Sequence, residues 1–317
     1  FRRNKGRNMK KATKLCALVL AVCMAAVMLT ACGSAPASTA SGASAGGEAD
    51  GQVVVNLAKD VAPESMDPIN AEDGFSMELI GATMSGLYTL DADDNLVPDL
   101  ATECTVSEDG MTYTFKLRED AKWSNGDALT AHDFVFAWKR LADPAVAGAY
   151  TWMLDEVLSV KNAAEIATGE LPVDELGVSA PDDYTFEVQL TRPVPYFEHA
   201  MVFTPFFPLN EKFVTEQGDS FALTVDGLLF SGPYKMTEWD VGGTRMVLEK
   251  NENYYNADSI KTDVINYQII ADTQQAVMSY ENGDIDYVKL TGDLVNQYRN
   301  EEGFSTQIGG YIWNLTP

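Results

Sequence analysis

Few residues in this chain have the types and spacing that chemistry needs. It contains two histidines, His132 and His199, with no carboxylate or cysteine at metal-ligating spacing from either. His132 falls in the first turn of an expected helix, where a solvated imidazole is the ordinary outcome. No His-Glu-x-x-His, Gly-x-Ser-x-Gly or Cys-x-x-Cys occurs. The phosphate-cradling Gly-x-x-x-x-Gly-Lys-Ser/Thr is also missing, so any ATP use must belong to another chain. Asp91-Ala92-Asp93-Asp94-Asn95 opens like a calcium loop, but Leu96 stands where such a loop needs glycine. Thr102 stands where it needs a bidentate glutamate. Carboxylates are abundant, yet no pair is marked for glycoside hydrolysis. The expectation is a binder with no catalytic residue, no metal and no cofactor, not an enzyme.

Charge divides the chain in two. Residues 1–32 carry seven basic side chains and no acidic one; the remainder holds 15 basic and 47 acidic residues, a formal −32. An acidic body lacks the basic face that nucleic acid requires, so nucleic-acid partners are disfavoured. The basic head leads into an unbroken apolar run of 14 residues, 15–28, which suits a signal peptide; a membrane-spanning helix needs about 20. Leu29-Thr30-Ala31-Cys32 then resembles a bacterial lipobox, which makes Cys32 the expected lipidated N-terminus and the head a removed export signal. Met9 is the expected start. Residues 33–51, almost wholly Gly, Ala, Ser, Thr and Pro, form an expected flexible tether. Cys104 alone would remain in the mature chain, which leaves no intramolecular disulfide, and it is expected as a small buried hydrophobe.

The body reads as mixed α/β. Strands are expected at 53–57, 104–106, 111–117, 184–190, 245–248 and 264–270, from apolar runs or period-two alternation. Helices are expected at 73–88, at 130–139 from a capping-box-like Thr130-Ala131-His132-Asp133, and at 272–281. Tight turns are expected at 91–95, at Ser107-Glu108-Asp109-Gly110, at Asn125-Gly126 and at Val241-Gly242-Gly243. Trp123, Phe134, Phe136 and Trp138 have the spacing of core anchors.

Several stretches, kept in order, resemble the oligopeptide-binding family of ABC-importer receptors (family 5 extracellular solute-binding proteins). These are Met66-Asp67-Pro68; Leu96-Val97-Pro98-Asp99-Leu100-Ala101; the run from Ser107 through Arg118; and the run from Ala121 through Arg140. Further on come Leu176-Gly177-Val178, Pro193-Val194-Pro195-Tyr196-Phe197, Ser231-Gly232-Pro233-Tyr234, Glu249-Lys250-Asn251 before Tyr254-Tyr255, and Gly283-Asp284-Ile285-Asp286. The resemblance runs from about Val53 to the end.

It implies a periplasmic-binding-protein-like α/β fold (type II, cluster C) with mixed sheets in lobes joined by a hinge. Lobe I would comprise 52–84 and 176–290, and lobe II 85–175. Lobe III would start at 291 and be cut short at 317, entered through a strand at Gly310-Tyr311-Ile312-Trp313-Asn314. It further implies an oligopeptide ligand, partner permease and ATPase subunits, and a monomer anchored outside the membrane by lipid on Cys32, on a Gram-positive surface or in a periplasm. By family position Glu72, Asp73, Gly74 and Phe75 would face the ligand from lobe I. Tyr150 would reach in from lobe II, with Leu290 and Thr291 near the hinge. The alternatives are the same fold with another solute (a nickel complex, haem, an oligosaccharide or an opine), or a surface hydrolase whose catalytic constellation is not found.

Overall fold

The structure, a computed structural model, describes residues 51–239 and 242–306. The signal and lipobox with Cys32, most of the tether, Val241 in the expected turn and the expected strand at 310–314 lie outside the described residues. In chain order the strands are β1 (Val54–Lys59), β2 (Tyr88–Leu90), β3 (Leu96–Pro98), β4 (Ala101–Val106), β5 (Thr112–Leu117), β6 (Val178–Asp182), β7 (Thr185–Gln189), β8 (Tyr234–Trp239), β9 (Arg245–Lys250) and β10 (Val264–Ile269). The α-helices are α1 (Gly74–Thr83), α2 (Ala131–Ala142), α3 (Ala163–Ala167), α4 (Phe197–Ala200), α5 (Glu211–Gln217), α6 (Thr273–Glu281) and α7 (Asp293–Tyr298).

Two four-stranded sheets organise these elements, with a small β2–β3 hairpin between them in sequence. The first sheet has the order β1-β10-β9-β8, with β1 and β10 parallel and the other pairs antiparallel. Residue Tyr287 adds a parallel bridge to Leu57 on the free side of β1. The second sheet, order β4-β5-β7-β6, is antiparallel throughout. Alternation along β5 sends Tyr113, Phe115 and Leu117 into the core, as the period-two pattern predicts. Phe186 of β7 stacks on Phe134 at 5.3 Å and meets the edge of Trp138 at 5.5 Å, so α2 is seated on this sheet by aromatic packing. Trp138 Nε1 then donates to the Phe206 carbonyl at 3.2 Å. The turn at 107–110 closes as expected, with Gly110 at φ +70°, a conformation that favours glycine.

Three expectations change. The helix expected to run to Tyr88 ends at Thr83, because its last turn is occupied by another part of the chain. Ser231 and Gly232 both donate backbone N–H groups to the Thr83 carbonyl, and a Cβ on Gly232 would lie 2.6 Å from the Met84 nitrogen. Met84 is accordingly extended and the chain turns away into β2. Second, β7 pairs with β5 on one side and β6 on the other, so residues 178–189 complete the sheet begun at 101–117, a membership the sequence does not indicate. Third, Cys104 is half-buried, not buried; burial first, and the charge of Glu198 second, push its thiol up to about 12. Trp123, Phe134 and Trp138 are buried as anchors, whereas Phe136 is only partly so.

Asp133, at the third position of α2, accepts the Thr130 backbone N–H at 2.7 Å, which is the expected capping contact. Burial pushes its carboxyl up to about 6, and the hydrogen bonding from Thr130 lowers it only in part. In the unfolded chain an aspartate titrates near ~4. Between those values the folded state holds the extra proton, so this group's stabilisation is present below about pH 4 and is lost as pH rises through 6. Urea unfolding of Asp133→Asn against wild type from pH 4 to pH 7 is expected to move in the variant's favour by about 2–3 kcal/mol. A pH-independent difference would contradict this.

Candidate functional site

The segment linking β1 to α1 is shaped by one carboxylate. Asp67, 7% exposed, receives both guanidinium nitrogens of Arg140 at 2.9 and 2.7 Å in a bidentate pair. It also accepts the Ile69 backbone N–H at 3.3 Å and the Asn70 side-chain amide at 3.1 Å. Arg140 lies on α2, so this pair joins the segment after β1 to the second sheet's helix. Its guanidinium also sits 5.1 Å from the centre of the Phe221 ring. The Ile69 carbonyl then accepts from Ala149, which brings the residues before Tyr150 onto the same segment.

Immediately after this segment come the residues expected to face a ligand. Glu72 is exposed. Asp73 caps α1, accepting from Ser76 N at 2.8 Å and from Glu64 N at 3.2 Å. Burial tends to raise its carboxyl, but the hydrogen bonds from Ser76, Glu64 and Phe75 outweigh that and hold it below the usual carboxylate range. Gly74 is exposed, and a Cβ there would meet nothing. Phe75 turns inward, 6% exposed, with its ring 5.3 Å from that of Tyr267 and the Lys59 ammonium 4.9 Å from its centre. Of the four, Glu72 and Gly74 are exposed, whereas Asp73 caps α1 and Phe75 packs into the core.

Tyr150 is half-buried and meets Phe203 edge-to-face at 4.9 Å. Burial raises its phenol, and the negative charges of Glu72 and Asp73 raise it further, which places Tyr150 within their electrostatic reach. The Ala149–Ile69 hydrogen bond in turn brings the backbone beside Tyr150 to the segment that leads into the 72–75 loop. Leu290 and Thr291 follow the Leu57–Tyr287 bridge, past the carboxyl end of β1, where Leu290 is half-buried and Thr291 exposed. Among the described residues, no hydrogen bond or ion pair joins them to Glu72 or Tyr150. The Asp67–Arg140 clamp was not anticipated as part of the site, although both residues stand inside the matched stretches. A carboxylate and an arginine 73 positions apart carry no pairing signal in sequence.

Elsewhere, the apolar crevice among Met66, Met84, Trp123, Phe213, Phe221 and Leu229 is a packing seam with space for little more than a water. Among the described residues no group of three or more His, Cys, Asp or Glu side chains could hold a metal ion. His132 is solvated as expected, with Nε2 3.4 Å from Asp183. Also among the described residues, no helix is long and apolar enough to cross a membrane.

Against known proteins, the family described as bacterial extracellular solute-binding proteins, family 5 Middle, matches residues 95–316. The chain belongs to this solute-binding family. The dipeptide-binding protein of Lactococcus lactis subsp. cremoris is 33% identical over 254 residues, covering 79% of this chain and 45% of the relative. Among solved structures, Listeria monocytogenes OppA bound to peptide superposes with a TM-score of 0.77 at 38% identity, covering 80% of this chain and 49% of that one. The substrate-binding domain of an oligopeptide ABC transporter from Bacillus anthracis does so at 0.76 and 43% identity, covering 78% and 47%. The fold is thus the mixed-sheet, periplasmic-binding-protein-like α/β fold of these receptors, and the chain spans about half the length of the relatives it matches.

Removing Asp67 leaves the Arg140 charge partnerless, with only 16% of its side chain exposed. Asp67→Ala is expected to cost about 3–5 kcal/mol in urea unfolding. Glu72→Ala, on the exposed face of the same segment, is expected to change stability by less than about 0.5 kcal/mol. Equal effects would contradict the division between the buried clamp and the exposed Glu72.

Proposed function

We propose that the protein is the ligand-binding component of an ABC importer, capturing oligopeptides outside the cell and passing them to a membrane permease powered by separate ATPase subunits. Family membership carries this reading. It is supported by an open wall built from Glu72, the bare backbone at Gly74 and Tyr150 on a segment clamped at Asp67. Binding that tolerates many side chains must draw affinity from the ligand's main chain, so an extended peptide would run along this wall. Its side chains would occupy hydrated space beyond.

Lobe I would contain the first sheet and lobe II the second, with the boundary moved past Leu190 to keep β6 and β7 with β5. Leu290 and Thr291, following the Tyr287 bridge beside β1, would lie at the approach to a hinge, and closure would follow from ligand contacts on both sides of it. The receptor would act as a monomer held outside the membrane by lipid on Cys32 and the tether of residues 33–51.

The test is thermal melting of the complete product of the gene, with a random peptide pool and separately with a panel of sugars, haem and nickel complexes. Peptides at a hundredfold excess over Kd are expected to raise the midpoint by about 2–3 °C. A rise with another solute alone, or with none, would overturn the peptide reading.

A further inference from the structure

The largest exposed aromatic side chain in the described residues stands two positions beyond Tyr150. Trp152 is 50% exposed and stacks on no other ring among the described residues. Half-exposing an indole forfeits much of the burial that makes tryptophan worth placing in a fold. Its support, in contrast, is stiff. Trp152 opens a single π-helical turn, Met153–Val157, a rare conformation that recurs at functional positions.

That turn is fixed at several points. Leu158 N donates to the Met153 carbonyl at 2.9 Å, and Leu154 is buried beneath. The Tyr196 hydroxyl donates to the Val157 carbonyl at 3.0 Å, tying the turn to the segment before α4. Just upstream, the Thr151 hydroxyl donates to the Leu141 carbonyl at 2.8 Å and to the Gly148 carbonyl at 2.9 Å, which anchors the backbone between Tyr150 and Trp152. Ala147, three residues before Tyr150, adopts φ +55°, which costs an alanine energy that the surrounding packing must offset. An exposed indole on so constrained a base loses little freedom when something flat settles on it.

We infer that Trp152, two positions beyond Tyr150 in the chain, is a stacking platform that selects for an arginine side chain in the bound peptide. The inference rests on the peptide-binding reading and adds a preference to it. A guanidinium is planar and cationic and stacks on an indole face with both dispersion and cation–π attraction. Asp155 and Glu156, both exposed, follow on the same turn and favour a cation there over an uncharged ring. Alanine at the same ligand position would leave the indole uncovered and gain nothing from it.

Calorimetry of the complete gene product decides this with a set of alanine-based peptides in which Arg, Phe or Ala is placed at each position in turn. One arginine position is expected to bind more tightly than its alanine counterpart. Trp152→Ala is expected to weaken that peptide by about 3- to 30-fold while changing the all-alanine peptide less than about twofold. Trp152→Leu, which keeps apolar bulk without the π face, guards against simple loss of folding and is expected to lose the arginine preference equally. Trp152→Phe should retain part of it. An equal loss for every peptide, or no loss for any, would overturn the platform. Wild-type protein that binds none of the peptides would overturn the peptide reading itself, and this inference with it.

Discussion

The bidentate pair between Asp67 and Arg140 is the constraint on which the rest of the site depends. One carboxylate spends its oxygens on a guanidinium from α2 and on two donors of its own loop. That sets the course of the chain from β1 to α1 and ties it to the helix that packs on the second sheet. With 10% and 16% of the two side chains exposed, the pair is mostly desolvated. Such a pair adds little net stability over an apolar substitute, but loss of either partner is heavily penalised, so it acts as a device for specifying geometry. The candidate site takes its place from that geometry: Glu72 and Gly74 a few residues on, and Tyr150 through the Ala149–Ile69 hydrogen bond.

A second set of contacts joins the two sheets further from the wall. The Tyr255 hydroxyl donates to Asp99 at 2.8 Å, and the Arg118 guanidinium lies 3.1 Å above the Tyr255 ring. Burial raises the Asp99 carboxyl, and the bonds and charge of Tyr255, Ser85 and Arg118 offset this only partly. Nearby, Ser124 exchanges hydrogen bonds with Phe230, and the buried Asn251 side chain donates to the Gly232 carbonyl at 2.9 Å. Residues of the matched stretches recur throughout these joints: Asp99, Arg118, Asn251 and Tyr255 do architectural work and touch no candidate ligand group.

Much of the fold was legible in sequence because the signals are local. Period-two alternation in β5 and β7, the Asp133 cap of α2 and the turn at Gly110 each follow from a few neighbouring residues. What failed was non-local. The end of α1 is set by Ser231 and Gly232, nearly 150 positions away, and the sheet membership of β7 by pairing with β5 and of β6 by pairing with β7. Position in the family pointed to the 72–75 loop, yet it could not separate groups that face outward from those that hold the loop. Asp73 and Phe75 proved to be a cap and a core ring, a distinction decided by packing against Tyr267 and by the donors of Glu64 and Ser76.

Photo-crosslinking probes the proposed wall most directly. A peptide carrying a benzophenone side chain, bound to the complete gene product and irradiated, can be mapped by mass spectrometry to the residues it labels. Labels within residues 72–75 and around Tyr150 are the predicted result. Efficient labelling confined to surfaces away from both would contradict the account.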